Sequence, residues 1–498
     1  MRRKAVAVFA GAVGLIALAA GSASAVGPDG WGDLGERPPA GSGFPSLSGQ
    51  RVDSMNTDSG KLIVGGVFDG INQAPGVTPD DDHIAIYDGR TWSTLGAGSG
   101  DIGSAASTID ALEYKDGKIY AGGTFLDAGP SDADALAVWD TNNPGAGWQP
   151  PCGSATAFTS NVYSLLIDGN TLYVGGSFDN AGGNPVADGV VACDLTTGAI
   201  TPMTDDNEDV GGNVNAIVKA PNGNIYLGGN FINVNVDDQP ANTAADFVAQ
   251  YNGGTSWSPL GATAAMDTVG VSALAVDSSS NLYVGTEDLN VAGIPEADCI
   301  ARWDGAVWSA VGSNGHGDGY LPPNNTQTNC YGGPQALVTT PSGDGLFIYV
   351  FGNYFNAGRT NELDPNTGHP LADEVTVFST SSGFWFPVGS NGAGNGAFGA
   401  PSGCNLCHGI AIFHDKLHVG GNFVDAGGDP LADSIACSPL PGHATPCIES
   451  APVVTPPSPP PAGPSSTGQR AAALKKCKKK RTKQARTKCK KKANQLPV

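Results

Sequence analysis

Apolar and polar residues alternate in short runs along most of the chain. Turn-forming pairs separate the runs: Asp88-Gly89, Asp116-Gly117, Asp168-Gly169, Asn222-Gly223 and Asn252-Gly253. Period-two alternation broken by such pairs predicts β-hairpins throughout. The runs return in a fixed order seven times: a first strand, a tight turn, a second strand ending in Gly-Gly, a longer segment, a third strand and a Trp strand. Second-strand copies read LIVGGVF (62–68), IYAGGTF (119–125), LYVGGSF (172–178), IYLGGNF (225–231), LYVGTED (282–288), IYVFGNYF (348–355) and LHVGGNF (417–423). Trp strands read TWSTLG (91–96), SWSPLG (256–261), VWSAVG (307–312) and FWFPVG (384–389), with degenerate copies at Trp148 and near Ile200. Four strands in each of seven repeats predict an all-β, seven-bladed β-propeller of four-stranded blades.

The seventh repeat lacks a Trp strand after Cys437, whereas Gly30-Trp31-Gly32-Asp33-Leu34-Gly35 lies unpaired at the start of the chain. The ring is therefore expected to close by lending this N-terminal strand to the last blade. The Gly-doublet strand with its spaced aromatics resembles the kelch and galactose-oxidase type of propeller, and the LYVGG…AGG…IARWDG wording resembles secreted bacterial propeller repeats. That resemblance implies a fold and no particular activity, because propellers host unrelated functions.

Both ends depart from the repeat. Met1-Arg2-Arg3-Lys4, an apolar run from Ala5 to Ala20 and small residues up to Ala25 form the pattern of a secretory signal peptide, residues 1–25. The propeller is expected to occupy 26–450. A proline-rich linker (451–469) follows, and then a basic tail (470–498) with two blocks around Cys477 and Cys489. Ala, Leu, Lys and Arg favour helix there, so the tail reads as either disordered or helical. It resembles the Lys/Cys-rich tails ending in Leu-Pro-Val of some secreted actinobacterial proteins.

Composition sharpens the separation. Of the 26 basic residues, three lie in the first four positions and 13 between Arg470 and Lys492. Residues 26–469 thus hold 10 basic against 47 acidic residues, a net of −37. Such a body is not expected to bind nucleic acid. The tail can rest on its own acidic body or tether the protein to an anionic wall polymer. The 72 glycines show no collagen period, and no segment beyond the leader is long and apolar enough to span a membrane. The expected location is secreted, extracellular or cell-wall-associated.

Ten cysteines in an exported chain argue for disulfides: Cys152, Cys193, Cys299, Cys330, Cys404, Cys407, Cys437, Cys447, Cys477 and Cys489. Cys152–Cys193, Cys299–Cys330, Cys437–Cys447 and Cys477–Cys489 are reasonable pairs. Cys404-Asn405-Leu406-Cys407-His408 has the form of a c-type haem attachment site, but one copy among so many oxidisable cysteines reads more simply as a disulfide, so no cofactor is expected. Asp80-Asp81-Asp82 and Asp205-Asp206-Asn207-Glu208-Asp209 are weak Ca²⁺ candidates without EF-hand spacing, and no metal is assigned.

Second-to-third and fourth-to-first connections share one face of a propeller, and here they are long. Candidate binding residues on that face are His316, Tyr320, Tyr331, Tyr354 and Arg359. Each third strand opens with Asp: Asp82, Asp134, Asp188, Asp246, Asp298, Asp373 and Asp433. One carboxylate per blade reads as a turn-closing device rather than a ligand ring. His414 and His418 flank a turn on the opposite face and are expected to be solvated. No catalytic motif is present. The expected function is a non-catalytic binding or scaffold protein for a surface glycan or protein. The alternative is an extracellular carbohydrate-active or oxidative enzyme, marked by carboxylates or histidines that break the repeat register over the channel.

Overall fold

The computed structural model describes residues 34, 50–58, 60–68, 83–95, 102, 107–204, 210–232, 234, 245–261, 270–312, 330, 333–340, 347–352, 374–388, 408–423, 426, 434–440, 447 and 469–496. The chain divides into two compact units, Met1–Glu449 and Ser450–Val498.

The first unit is a ring of seven four-stranded antiparallel blades. Their first strands are Arg51–Asp58, Ile109–Lys115, Val162–Asp168, Val214–Lys219, Val271–Val276, Pro334–Thr339 and Gly409–Phe413. Each first strand packs against the next, and the last against the first, so together they enclose a central channel. Among the described residues blades 2 and 7 show three strands each. In blade 2 the fourth strand shrinks to one bridge, Val138 with Gln149, because Pro150 and Pro151 follow and cannot donate to a ladder.

The Gly-Gly doublet is explained by two close approaches. A Cβ on the first glycine would strike the apolar residue that opens the next blade: Gly65 meets Ile109, Gly122 meets Val162, Gly175 meets Val214, Gly228 meets Val271 and Gly420 meets Val52. These side chains are fully buried on that flat glycine surface, each contributing about 1.5–3 kcal/mol. A Cβ on the second glycine would strike a carbonyl at the entry to its own blade's first strand: Gly66 meets Arg51, Gly123 meets Thr108, Gly176 meets Asn161 and Gly229 meets Asn213. The backbone presses inward there because the first strand carries a β-bulge at that point. Blade 5 moves the glycine across the pair: Thr286 stands on the second strand and donates its hydroxyl to the Gly270 carbonyl at 3.1 Å.

At the outer edge a tryptophan joins blades 1, 4, 5 and 6 each to the one before. The indole N–H of Trp257 donates to the Met203 carbonyl (2.9 Å), Trp308 to Leu260 (2.6 Å) and Trp385 to Val311 (3.2 Å). Each acceptor directly follows the preceding blade's fourth strand. Trp92 of blade 1 makes the same bond at 2.9 Å, to Leu34. Leu34 lies in the Trp-x-x-Leu-Gly register of Leu260 and is buried with Phe413 and Ile435 of blade 7 as well as Val52 and Trp92 of blade 1. Leu34 therefore occupies the seventh blade's outer position and closes the ring.

Among the described residues four disulfides join Cys152–Cys193, Cys299–Cys330, Cys437–Cys447 and Cys477–Cys489. Cys193 takes the third-strand place that Tyr87, Trp139, Tyr251 and Trp303 fill elsewhere by stacking on a fourth-strand Trp. One expectation is overturned. His418 is not solvated: it takes the second-strand place of Tyr173 and Tyr226, is fully buried, and meets the Phe413 ring edge-on. Burial pushes its imidazole pKa down to about 3.

In the second unit, helices α1 (Gln469–Lys478) and α2 (Lys483–Ala493) pack together and are cross-linked by Cys477–Cys489. The Thr482 side chain caps α2 by accepting from the Ala485 N–H. No helix among the described residues is long and apolar enough to cross a membrane.

Candidate binding site at the mouth of the channel

Six first strands skip one residue in their pairing with the second strand: Asp53, Asp110, Tyr163, Asn215, Ser272 and Gln335. In blade 7 Gly409 pairs with Gly420 as Ser54 pairs with Gly65, which places His408 at the seventh such position. A bulge lets a strand turn one side chain out of the pleat. These seven residues stand where the first strand meets the end of the second, the end from which the long connections leave.

A cavity of about 210 Å³ occupies this mouth. Asp53, Asp110, Asn215 and His408 contribute its polar edge. Next along the strands, Met55, Leu112, Leu165, Ile217, Leu274 and Ile410 form an apolar collar. The collar repeats faithfully from blade to blade, whereas the bulge positions do not.

The polar edge is electrostatically lopsided. Asp53 is buried, and the Arg51 Nε donates to both of its oxygens, at 2.8 and 3.0 Å. Burial nevertheless raises the Asp53 carboxyl, against the pull of Arg51 and of His408, whose Nδ1 lies 4.0 Å away. Asp110, on the neighbouring blade, is pushed up to about 6 by burial and then by the Asp53 charge, opposed by the Thr108 hydroxyl at 2.9 Å and by Arg51. Glu113, further along the same strand, is pushed up to about 8 by burial, although the Asn56 amide donates to it at 3.5 Å. Burial and the Arg51 charge hold the His408 imidazole below its ordinary value while its ring stays open to the channel. Arg51 answers Asp53; no ion pair among the described residues includes Asp110.

His316, Tyr320, Tyr331, Tyr354 and Arg359 lie outside the described residues, as do Asp82, Asp373, Asp433, Cys404 and Cys407. Of the remaining third-strand aspartates, Asp134 accepts from the Asp127 N–H at 2.9 Å and Asp298 from the Asn290 N–H at 2.7 Å. Asp188 accepts from the Asn180 N–H, and Asp246 is buried. Asp134, Asp188 and Asp298 close the connection before the third strand, and none of the four lines the channel-mouth cavity. The sequence reading missed Arg51, Asp53, Asp110 and Glu113, and met His408 only as the last residue of a haem-like motif. The signal was an apolar–x–small triplet two residues into each repeat: Val52-Asp53-Ser54, Ile109-Asp110-Ala111, Val162-Tyr163-Ser164 and Val214-Asn215-Ala216.

No known protein family and no curated protein matches this chain. Solved structures similar to it include the computationally designed Ika8 protein (13% identity, TM-score 0.40, covering 82% of this chain and 99% of that one). YCF48 bound to D1 peptide is similar at 11% identity and TM-score 0.44, covering 84% and 98%. A gluconolactonase from Xanthomonas campestris is similar at 13% identity and TM-score 0.37, covering 81% and 99%.

Proposed function

We propose that this protein is an exported, envelope-associated β-propeller of kelch-like type that binds a partner without chemistry at the channel mouth. Its basic tail acts as an electrostatic tether to anionic surface polymers. The observation that carries the reading is the ring of bulged residues. The Gly-Gly doublet and the outer-edge tryptophan keep one residue type in most blades, yet this position holds six residue types in seven blades, nearly all uncharged or paired. Positions that serve a blade recur in every blade; positions that serve a ligand follow the ligand. The leader pattern and four disulfides support export. The tail holds 13 basic residues between Arg470 and Lys492 and no acid, which suits a polyanion.

Retention on isolated cell envelopes across a salt series tests both halves, using residues 26–498, 26–452 and 465–498. A propeller that recognises a surface ligand keeps 26–452 bound at high salt, while salt strips 465–498. Loss of 26–452 at every salt concentration removes the binding role.

One observation favours a second reading, an extracellular carbohydrate-active or oxidative enzyme: Asp110 and Asp53 line one cavity, and burial pushes the Asp110 carboxyl up to about 6, within the range of a general acid. Turnover of a glycan by the wild type that Asp110→Asn abolishes would replace binding with catalysis.

A further inference from the structure

Resting on the binding reading, we propose that the ligand presents a cationic group, an ammonium or guanidinium on an aliphatic stem, to Asp110 at the channel mouth. The charge would meet the carboxylate, and the stem would lie against the collar formed by Leu112, Leu165 and their neighbours.

Three features converge on this chemistry. The site already contains its own example: the Arg51 side chain sets its Nε between the two oxygens of Asp53, so the mouth accommodates a nitrogen cation on a buried carboxylate. The next carboxylate around the ring, Asp110, faces the same cavity and takes a hydroxyl from Thr108, and no ion pair among the described residues includes it. Beside it the cavity wall turns abruptly apolar, with six aliphatic side chains in register. Such a surface rewards a stem of several methylenes by about 0.8 kcal/mol for each one buried. An anion would be repelled by Asp53 and Asp110, and a neutral ligand would leave the desolvated Asp110 carboxylate without a counter-charge of its own.

The site also sets a pH dependence. The groups facing Asp110 are Asp53 and Arg51 from blade 1 and Thr108 on its own blade; Glu113 lies further along its strand. A cation binds the ionised form. With the Asp110 carboxyl pushed up to about 6, affinity is nearly complete at pH 7.5, halved near pH 6 and about tenfold lower by pH 5.

The probe is 1-pentylamine, with 1-pentanol and pentanoate as its neutral and anionic counterparts, titrated calorimetrically into the mature chain, residues 26–498. The amine is expected to bind at least about tenfold more tightly than the alcohol at pH 7.5, with pentanoate weaker than either. Asp110→Asn should erase that preference, and Arg51→Gln should strengthen amine binding severalfold by releasing Asp53. Wild-type protein titrated at pH 5 and 7.5 gives the same test without any substitution. Equal binding of amine and alcohol, or an amine preference that survives in folded Asp110→Asn, overturns the proposal. If the amine fails while 26–452 still holds to envelopes at high salt, the cation assignment falls and the binding reading stands. If both fail, the binding reading falls as well.

Discussion

The outer edge and the channel mouth of this propeller are built by the same seven repeats, and they have diverged in opposite directions. At the outer edge one device recurs: a fourth-strand tryptophan stacks on a third-strand aromatic and ties its indole N–H to the preceding blade. Even the N-terminal segment is drawn into it, through Leu34 and Trp92. At the channel mouth the backbone device also recurs, a bulge braced by a glycine, but the side chain it displays changes from Asp to Tyr to Asn, with His408 at the matching place in blade 7. Repetition marks what the fold needs. Divergence at a position whose backbone is held constant marks what the fold is used for.

That contrast can be broken at either end. The largest effect is expected from deleting residues 26–36, which removes Leu34 from the seam between blades 7 and 1. Thermal unfolding should fall by at least about 10 °C, or the chain should fail to fold. A deletion that melts with wild type would remove the closure. Next comes Gly123→Ala, whose methyl group would land on the Thr108 carbonyl behind the bulge. A loss of about 2–4 kcal/mol in denaturant unfolding is expected. Trp308→Phe keeps the ring contact but orphans the Leu260 carbonyl, and about 1–2 kcal/mol should go with it.

The smallest effect concerns titratable groups buried within the blades. Glu113 has its pKa raised to about 8, so the folded protein keeps a proton that the unfolded chain releases above its ordinary value near 4.5. This contribution to stability therefore declines as pH rises through that window. His418 acts oppositely: depressed to about 3 from an ordinary 6.5, it costs stability as pH falls through that range. Glu113→Gln should melt with wild type at pH 4.5 and a few degrees above it at pH 8.5, as calorimetry would read. Equal melting at both values would show that the buried carboxyl is not held in its neutral form.

The contrast also explains what could be read in advance. Strand count, blade number and the N-terminal closing segment were legible because Gly-Gly, Trp and Asn-Gly turns recur and recurrence is visible in a single chain. The disulfides Cys152–Cys193 and Cys299–Cys330 were legible because their half-cystines recur beside equivalent strands. Asp53, Asp110 and His408 were not, because a bulged residue carries no recurrent identity: alternation assigns it to a strand, and nothing in its type marks it as displaced. The flanking triplets, Val52-Asp53-Ser54 and Ile109-Asp110-Ala111, betray it only once the Gly-Gly doublet is understood as the footprint of a bulge. His418 misled for the related reason that it substitutes for a tyrosine in a register position whose burial is fixed by the repeat.

The central claim is that the bulged ring, rather than the repeated outer edge, recognises the ligand. The most direct measurement compares envelope retention of residues 26–452 at high salt for two triple variants. One carries Asp110→Asn, Asn215→Ala and His408→Asn at the channel mouth; the other carries Ser93→Ala, Ser258→Ala and Ser309→Ala on the fourth strands. The account predicts that the channel-mouth variant is released while the outer variant stays bound like wild type. Retention of the channel-mouth variant, or release of the outer one alone, would contradict it.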